Sequence, residues 1–200
     1  MKSPLLTSLL ALALAVPAFA QATATTTAQE PASPSLLGKR YAEVTAGLVD
    51  SSPDNGYGVG AAFNAPLAAG LDVGVNFQHN WLDGNSSDNY QDLGLNLTGY
   101  HDLGKVRVFG RATLGYEWWS VANESWYQLE AGAEYAVTRR LLVSAQVGWY
   151  DYFSSNTSDG SFFGGPKVTY WTSSSIALSG AVSFIEYGDV GYTLGVAFVF

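Results

Sequence analysis

From residue 40 to Phe200 the chain alternates apolar with small or polar residues in ten short segments, and this period of two constrains the fold more than any other feature. The segments cover 40–49, 57–66, 71–81, 91–101, 106–118, 126–137, 141–152, 162–172, 175–185 and 190–200. Each is close to the roughly 9–11 residues that a tilted strand needs to cross a bilayer. Turn-forming residues separate them: Pro53-Asp54-Asn55-Gly56, Asp83-Gly84-Asn85, Asp159-Gly160 and Gly188-Asp189. Regular short strands punctuated this way predict an antiparallel barrel or sandwich.

The content of the two faces separates those alternatives. In the third segment Leu71, Val73, Val75 and Phe77 oppose Asp72, Gly74, Asn76 and Gln78. In the sixth, Leu129, Ala131, Ala133 and Tyr135 oppose Gln128, Glu130, Gly132 and Glu134. A soluble sandwich would leave the second set in water, where a face of Gly, Ala, Ser and Thr offers little to pack. The same set suits a crowded barrel interior, with the apolar rows turned to lipid. Aromatic residues fall at segment ends: Trp81, Trp118, Trp119, Trp126, Tyr127, Trp149, Tyr152 and Phe162 at one set, and Tyr41, Tyr100, Tyr135, Tyr170, Trp171 and Phe200 at the other. Two such groups predict girdles at the two membrane interfaces.

Targeting features agree. Lys2, an apolar run over Leu5 to Val16 and Ala18-Phe19-Ala20 before Gln21 form a secretory signal peptide pattern, residues 1–20. Residues 21–37, rich in Ala, Thr, Ser and Pro, predict a flexible periplasmic leader, and 38–200 the barrel. Cysteine is absent, which excludes disulfides and thiolate metal sites. Removal of Lys2 with the signal leaves eight basic against seventeen acidic residues, a balance that argues against nucleic acid. Lys39, Arg40, Lys105, Arg107, Arg139 and Arg140 fall at the ends shared with the N-terminus, while Asp50, Asp54, Asp83, Asp88, Glu124, Asp151, Asp159, Glu186 and Asp189 fall at the others. An even strand number puts both termini on one side, expected to be the periplasm, with acidic loops outside.

With its signal peptide, strands such as RYAEVTAGLV and VRVFGRATLGYEW and the ending GYTLGVAFVF, the chain resembles the small outer-membrane β-barrel family that includes the transmembrane domain of outer-membrane protein A. The resemblance covers about residues 39–200. It implies a transmembrane antiparallel up-and-down β-barrel in the cell outer membrane, contacts with outer-membrane lipid and lipopolysaccharide, and handling by periplasmic chaperones and the barrel-insertion machinery. It also implies that Tyr192, Leu194, Val196, Phe198 and the terminal Phe200 form the insertion signal. Many relatives have eight strands where ten are counted here. Segment 162–172 is the weakest, because Gly164-Gly165-Pro166 interrupts its ladder, yet an eight-strand barrel requires losing a second segment too.

Inward positions carry both signs of charge. Glu43, Asp92, Arg107, Arg111, Glu130, Glu134 and Lys167 are the candidate lumen charge network, with Asp72 and Glu117 on the same face. Arg111 is expected near Glu130 and Glu134, with Asp92 diagonal to them. Such a network either stiffens and plugs the barrel or opens transiently as a polar path. Eight strands leave room only for side chains, so ten lie near the closed limit. Small inward residues on the last two strands (Ala177, Ser179, Ala181, Ser183, Gly191, Thr193, Gly195 and Ala197) leave one side underfilled unless larger groups reach across.

The expected role is therefore structural or narrowly porin-like, in a monomer without cofactor or metal. A surface-binding barrel is the alternative, which longer loops would favour. A lipid A-modifying enzyme is a distant third: His79 has Trp81 where a serine two residues away would be wanted, and His101 lies in a turn. Asp83 to Asp88 offers oxygen ligands without the spacing of a calcium loop.

Overall fold

The computed structural model describes residues 34–50, 55–83, 89–119, 123–154 and 160–200. The signal peptide, most of the leader and the loop residues 51–54, 84–88, 120–122 and 155–159, with Asp54, Asp88 and Asp159 among them, lie outside the described residues. Ten strands follow one another: β1 (Tyr41–Asp50), β2 (Asn55–Ala68), β3 (Leu71–Asp83), β4 (Asn89–Leu103), β5 (Val106–Trp119), β6 (Asn123–Ala136), β7 (Leu141–Tyr152), β8 (Ser161–Trp171), β9 (Ile176–Ile185) and β10 (Val190–Val199). Each pairs antiparallel with its chain neighbours, and β1 pairs with β10 from Tyr41↔Val199 to Asp50↔Val190, closing the barrel. Closure leaves no sheet edge with unpaired backbone groups, the condition for a sheet in lipid. The ten-strand count stands over the eight-strand alternative.

The terminal end of the barrel carries residues 34–40, Phe200 and the tight connections. Gly70 (φ +77°) and Gly104 (φ +75°) turn β2 into β3 and β4 into β5 in the left-handed region that only glycine adopts without strain. The opposite, loop end carries the longer connections. Segment 162–172 survives as β8 because Gly165 lets the chains come close: a Cβ there would lie 1.9 Å from the Val182 carbonyl oxygen. The β8–β9 register skips Gly165 and Pro166, while β7 still pairs with both.

The two faces divide by polarity. Leu95, Leu114, Val147 and Leu194 stand bare on the outside, Leu194 72% exposed. Inside, Asp72, Thr98, Thr113, Glu117 and Thr169 are buried. The interior is polar and the exterior apolar, the inverse of a water-soluble protein.

The predicted aromatic girdles need correction. Trp81, Trp118, Tyr127, Trp149, Phe162, Tyr135, Tyr170 and Phe200 share the outward parity of their strands, but Tyr41, Tyr100, Trp119, Trp126, Tyr152 and Trp171 share the inward one. Trp171 is 1% exposed and Trp126 4%. Position along a strand fixes height along the barrel, whereas parity fixes which side of the wall a ring occupies, and parity puts these six in the lumen.

Candidate lumenal site

The terminal mouth is filled by residues 34–40. Ser35, Leu36 and Leu37, read in the sequence as the end of the leader, are buried. Leu36 packs in one cluster with Trp171, Ala177 and Ala197, so it and Trp171 fill the space that the small residues of β9 and β10 leave. Backbone groups of this segment find partners on the wall. The Gly38 amide donates to Asp72 Oδ2 at 2.8 Å, the Leu37 carbonyl accepts from Arg107 Nη1 at 2.7 Å, and the Pro34 carbonyl accepts from Trp171 Nε1 at 2.6 Å. Ser35 Oγ donates to Glu134. Asn64 Nδ2 donates to the same Asp72 oxygen that holds Gly38. Lys39 Nζ lies 4.2 Å from the Trp171 ring centroid, while burial, and then the Arg107 charge, lowers its pKa to about 8 against the opposing pull of Glu134.

Ion pairs line the lumen above this plug. Arg111 Nη1 meets Glu130 Oε2 at 3.2 Å, with Arg111 Nε donating to Thr98 Oγ1 and Gln146 Nε2 to Glu130. Lys167 Nζ lies 3.5 Å from Glu43, which also accepts from Ser179 Oγ. Arg107 forks onto Asp102 at the terminal rim, with bonds of 2.6 and 2.9 Å, a partner the sequence reading did not name. Glu134 is held by the plug. Asp92 stands apart from all of these, in the loop-end half and in register with Glu117 of β5.

The loop-end half is an open vestibule with a volume of about 330 Å³. Tyr90, Trp119, Trp126, Tyr150 and Tyr152 line it together with Asp92, Glu117 and the carboxamides of Asn76, Asn80 and Gln128. Tyr90 and Trp119 stack at 4.7 Å between centroids. Glu117 accepts from Trp119 Nε1 and, at 3.1 Å, from the Tyr152 hydroxyl. These rings were visible in the sequence as aromatics, and only the inward parity of Trp119, Trp126 and Tyr152 could have moved them off the girdle. The histidines take no part: His79 packs edge-on against Trp81 on the outer face, and His101 is exposed at the terminal end. Among the described residues no cluster of His, Cys, Asp or Glu is arranged to hold a metal ion.

No family profile and no curated protein matches the chain. Solved barrels do resemble its fold. The translocator domain of the autotransporter NalP from Neisseria meningitidis superposes with a TM-score of 0.51 at 11% identity, covering 81% of this chain and 88% of that one. The NanC porin gives 0.48 at 10% identity over 78% and 98% of the two chains. The KdgM porin in complex with disordered oligogalacturonate gives 0.47 at 13% identity over 80% and 99%. These likenesses concern the fold.

Proposed function

We propose that the chain is an integral outer-membrane β-barrel with a narrow, porin-like role, closed at rest by its own residues 34–40. The observation that carries this reading is the inverted polarity of the wall: bare Leu and Val rows outside, carboxyl, hydroxyl and amide groups inside. Apolar rows of that extent are stable only against lipid. Both termini then face the periplasm, and the row Tyr192, Leu194, Val196, Phe198 and Phe200 serves as the insertion signal, read by the insertion machinery after chaperones deliver the chain. Lipid and lipopolysaccharide are the surrounding partners.

Among the described residues the inward faces of the strands carry eight carboxylates (Glu43, Asp72, Asp92, Asp102, Glu117, Glu124, Glu130 and Glu134) against Arg107, Arg111 and Lys167. That excess favours small cations over anions. Planar-bilayer recordings test the role. Refolded protein beginning at residue 21 gives rare, small, cation-preferring steps, and protein beginning at residue 39 gives larger and longer ones. Silence from both would overturn conduction and leave a purely structural barrel.

A further inference from the structure

We propose that the loop-end vestibule binds a small hydroxylated organic cation, of the chemical class of a protonated amino sugar. The inference rests on those side chains facing the lumen and not on whether the lumen conducts.

The strand register sets up the first requirement. Asp92, Glu117 and Glu124 lie in one row across β4, β5 and β6. Asp92 is 9% exposed and Glu117 4%. Like charges directly opposite each other on neighbouring strands repel, and the repulsion is worst where water is scarce. Among the described residues no basic side chain lines this cavity. The three on the inward faces of the strands are engaged elsewhere, Arg107 with Asp102, Arg111 with Glu130 and Lys167 with Glu43, and Lys39 lies over Trp171 at the other end. Among the described residues Asp92 has no hydrogen-bond or ion-pair partner. A cation from solution supplies what the chain does not. The row is not arranged as a metal site.

A second, independent observation fixes the rest of the ligand. Trp126 is 4% exposed, lines the same cavity, and its Nε1 has no hydrogen-bond partner. An indole N–H can only donate, so the occupant must bring an acceptor oxygen. Burying that N–H unpaired is costly, and a ligand hydroxyl removes the cost. The stacked Tyr90 and Trp119 rings offer flat apolar faces, against which C–H groups and an ammonium both pack favourably. An ammonium for the carboxylates, hydroxyls for the indole and the carboxamides, and an apolar ring face describe an amino sugar. A uronic acid would meet Asp92 and Glu117 with like charge.

Calorimetric titration of the refolded chain in detergent micelles, in neutral buffer, tests this with glucosamine, glucose and glucuronate. Saturable glucosamine binding at least about tenfold tighter than glucose, with none for glucuronate, is expected. Asp92→Asn with Glu117→Gln should erase the tenfold preference, while Trp126→Phe should weaken glucosamine and glucose together. Equal affinity for glucosamine and glucose, absence of any glucosamine binding, or wild-type glucosamine affinity in the D92N/E117Q protein would each overturn the proposal. The comparison of ligands on the unaltered chain needs no variant to fold.

Discussion

Trp171 Nε1 donates a 2.6 Å hydrogen bond to the Pro34 carbonyl, tying the end of β8 to the segment that precedes β1. The two are 137 residues apart in sequence and both are buried. Trp171→Phe keeps most of the ring and its contacts with Leu36 but removes the donor. A buried hydrogen bond is worth about 1 kcal/mol, so the undocked population of residues 34–40 should rise about fivefold. Limited trypsin digestion reads this directly, through cleavage after Lys39 and Arg40. Unchanged cleavage rates would mean that the bond does not hold the segment.

Lys39 makes docking depend on pH. Its docked pKa lies near 8, below the ordinary 10.5, chiefly because burial penalises the charged amine. The undocked state therefore binds more protons between those values, and docking strengthens as pH rises from about 8 to 10.5. The gain is complete above 10.5 and is lost as pH falls through 8. Titration of the Lys39 side chain by NMR should give a midpoint near 8. A midpoint near 10.5 would show that this amine is not buried in the docked segment.

The strands were legible because the two faces of a closed barrel wall impose opposite demands on successive residues, so the period of two ran nearly unbroken through the strands from Tyr41 to Val199. Even β8 was readable, since Pro166 disturbs only its β9 side. The lumen was less legible for two physical reasons. Aromatics at strand ends suit an interface and a vestibule equally, and only parity separates Trp118 from Trp119. Leu36 and Leu37 sit in a Ser/Pro-rich stretch with no period, so nothing local announces that their partners are Trp171, Ala177 and Ala197 far along the chain. Arg111 and Glu130 were predicted neighbours because they are direct cross-strand partners. Asp92 is removed from them by its own register with Glu117.

The Arg111–Glu130 pair should behave asymmetrically on mutation. Glu130's side chain is 3% exposed and Arg111's 30%. Arg111→Met leaves the carboxylate buried without its cation and should cost about 1–3 kcal/mol of barrel stability. Arg111→Met combined with Glu130→Met removes both charges and should recover most of that loss. Urea unfolding in lipid vesicles, followed by tryptophan fluorescence, measures all three proteins. A double variant as unstable as the single would mean that the pair contributes net stability rather than merely satisfying itself.

The outward assignment of the apolar rows is tested most sharply by depth. Leu194 lies mid-strand in β10, between Ala46 of β1 and Gly180 of β9, and is 72% exposed; Leu67, beside the β2 bulge at the terminal end, is 62% exposed. In water the two are equivalent, and an arginine at either would be harmless or favourable. Against a bilayer, Leu194→Arg should cost roughly 2–4 kcal/mol and Leu67→Arg roughly 0–1, because the penalty falls from the midplane to the interface. The contrast depends on both variants keeping the same closed barrel, which outward side chains allow since neither contacts the lumen. The same vesicle unfolding experiment measures both, and equal losses for the two variants would remove the lipid-facing assignment on which the lumen, its plug and its vestibule all depend.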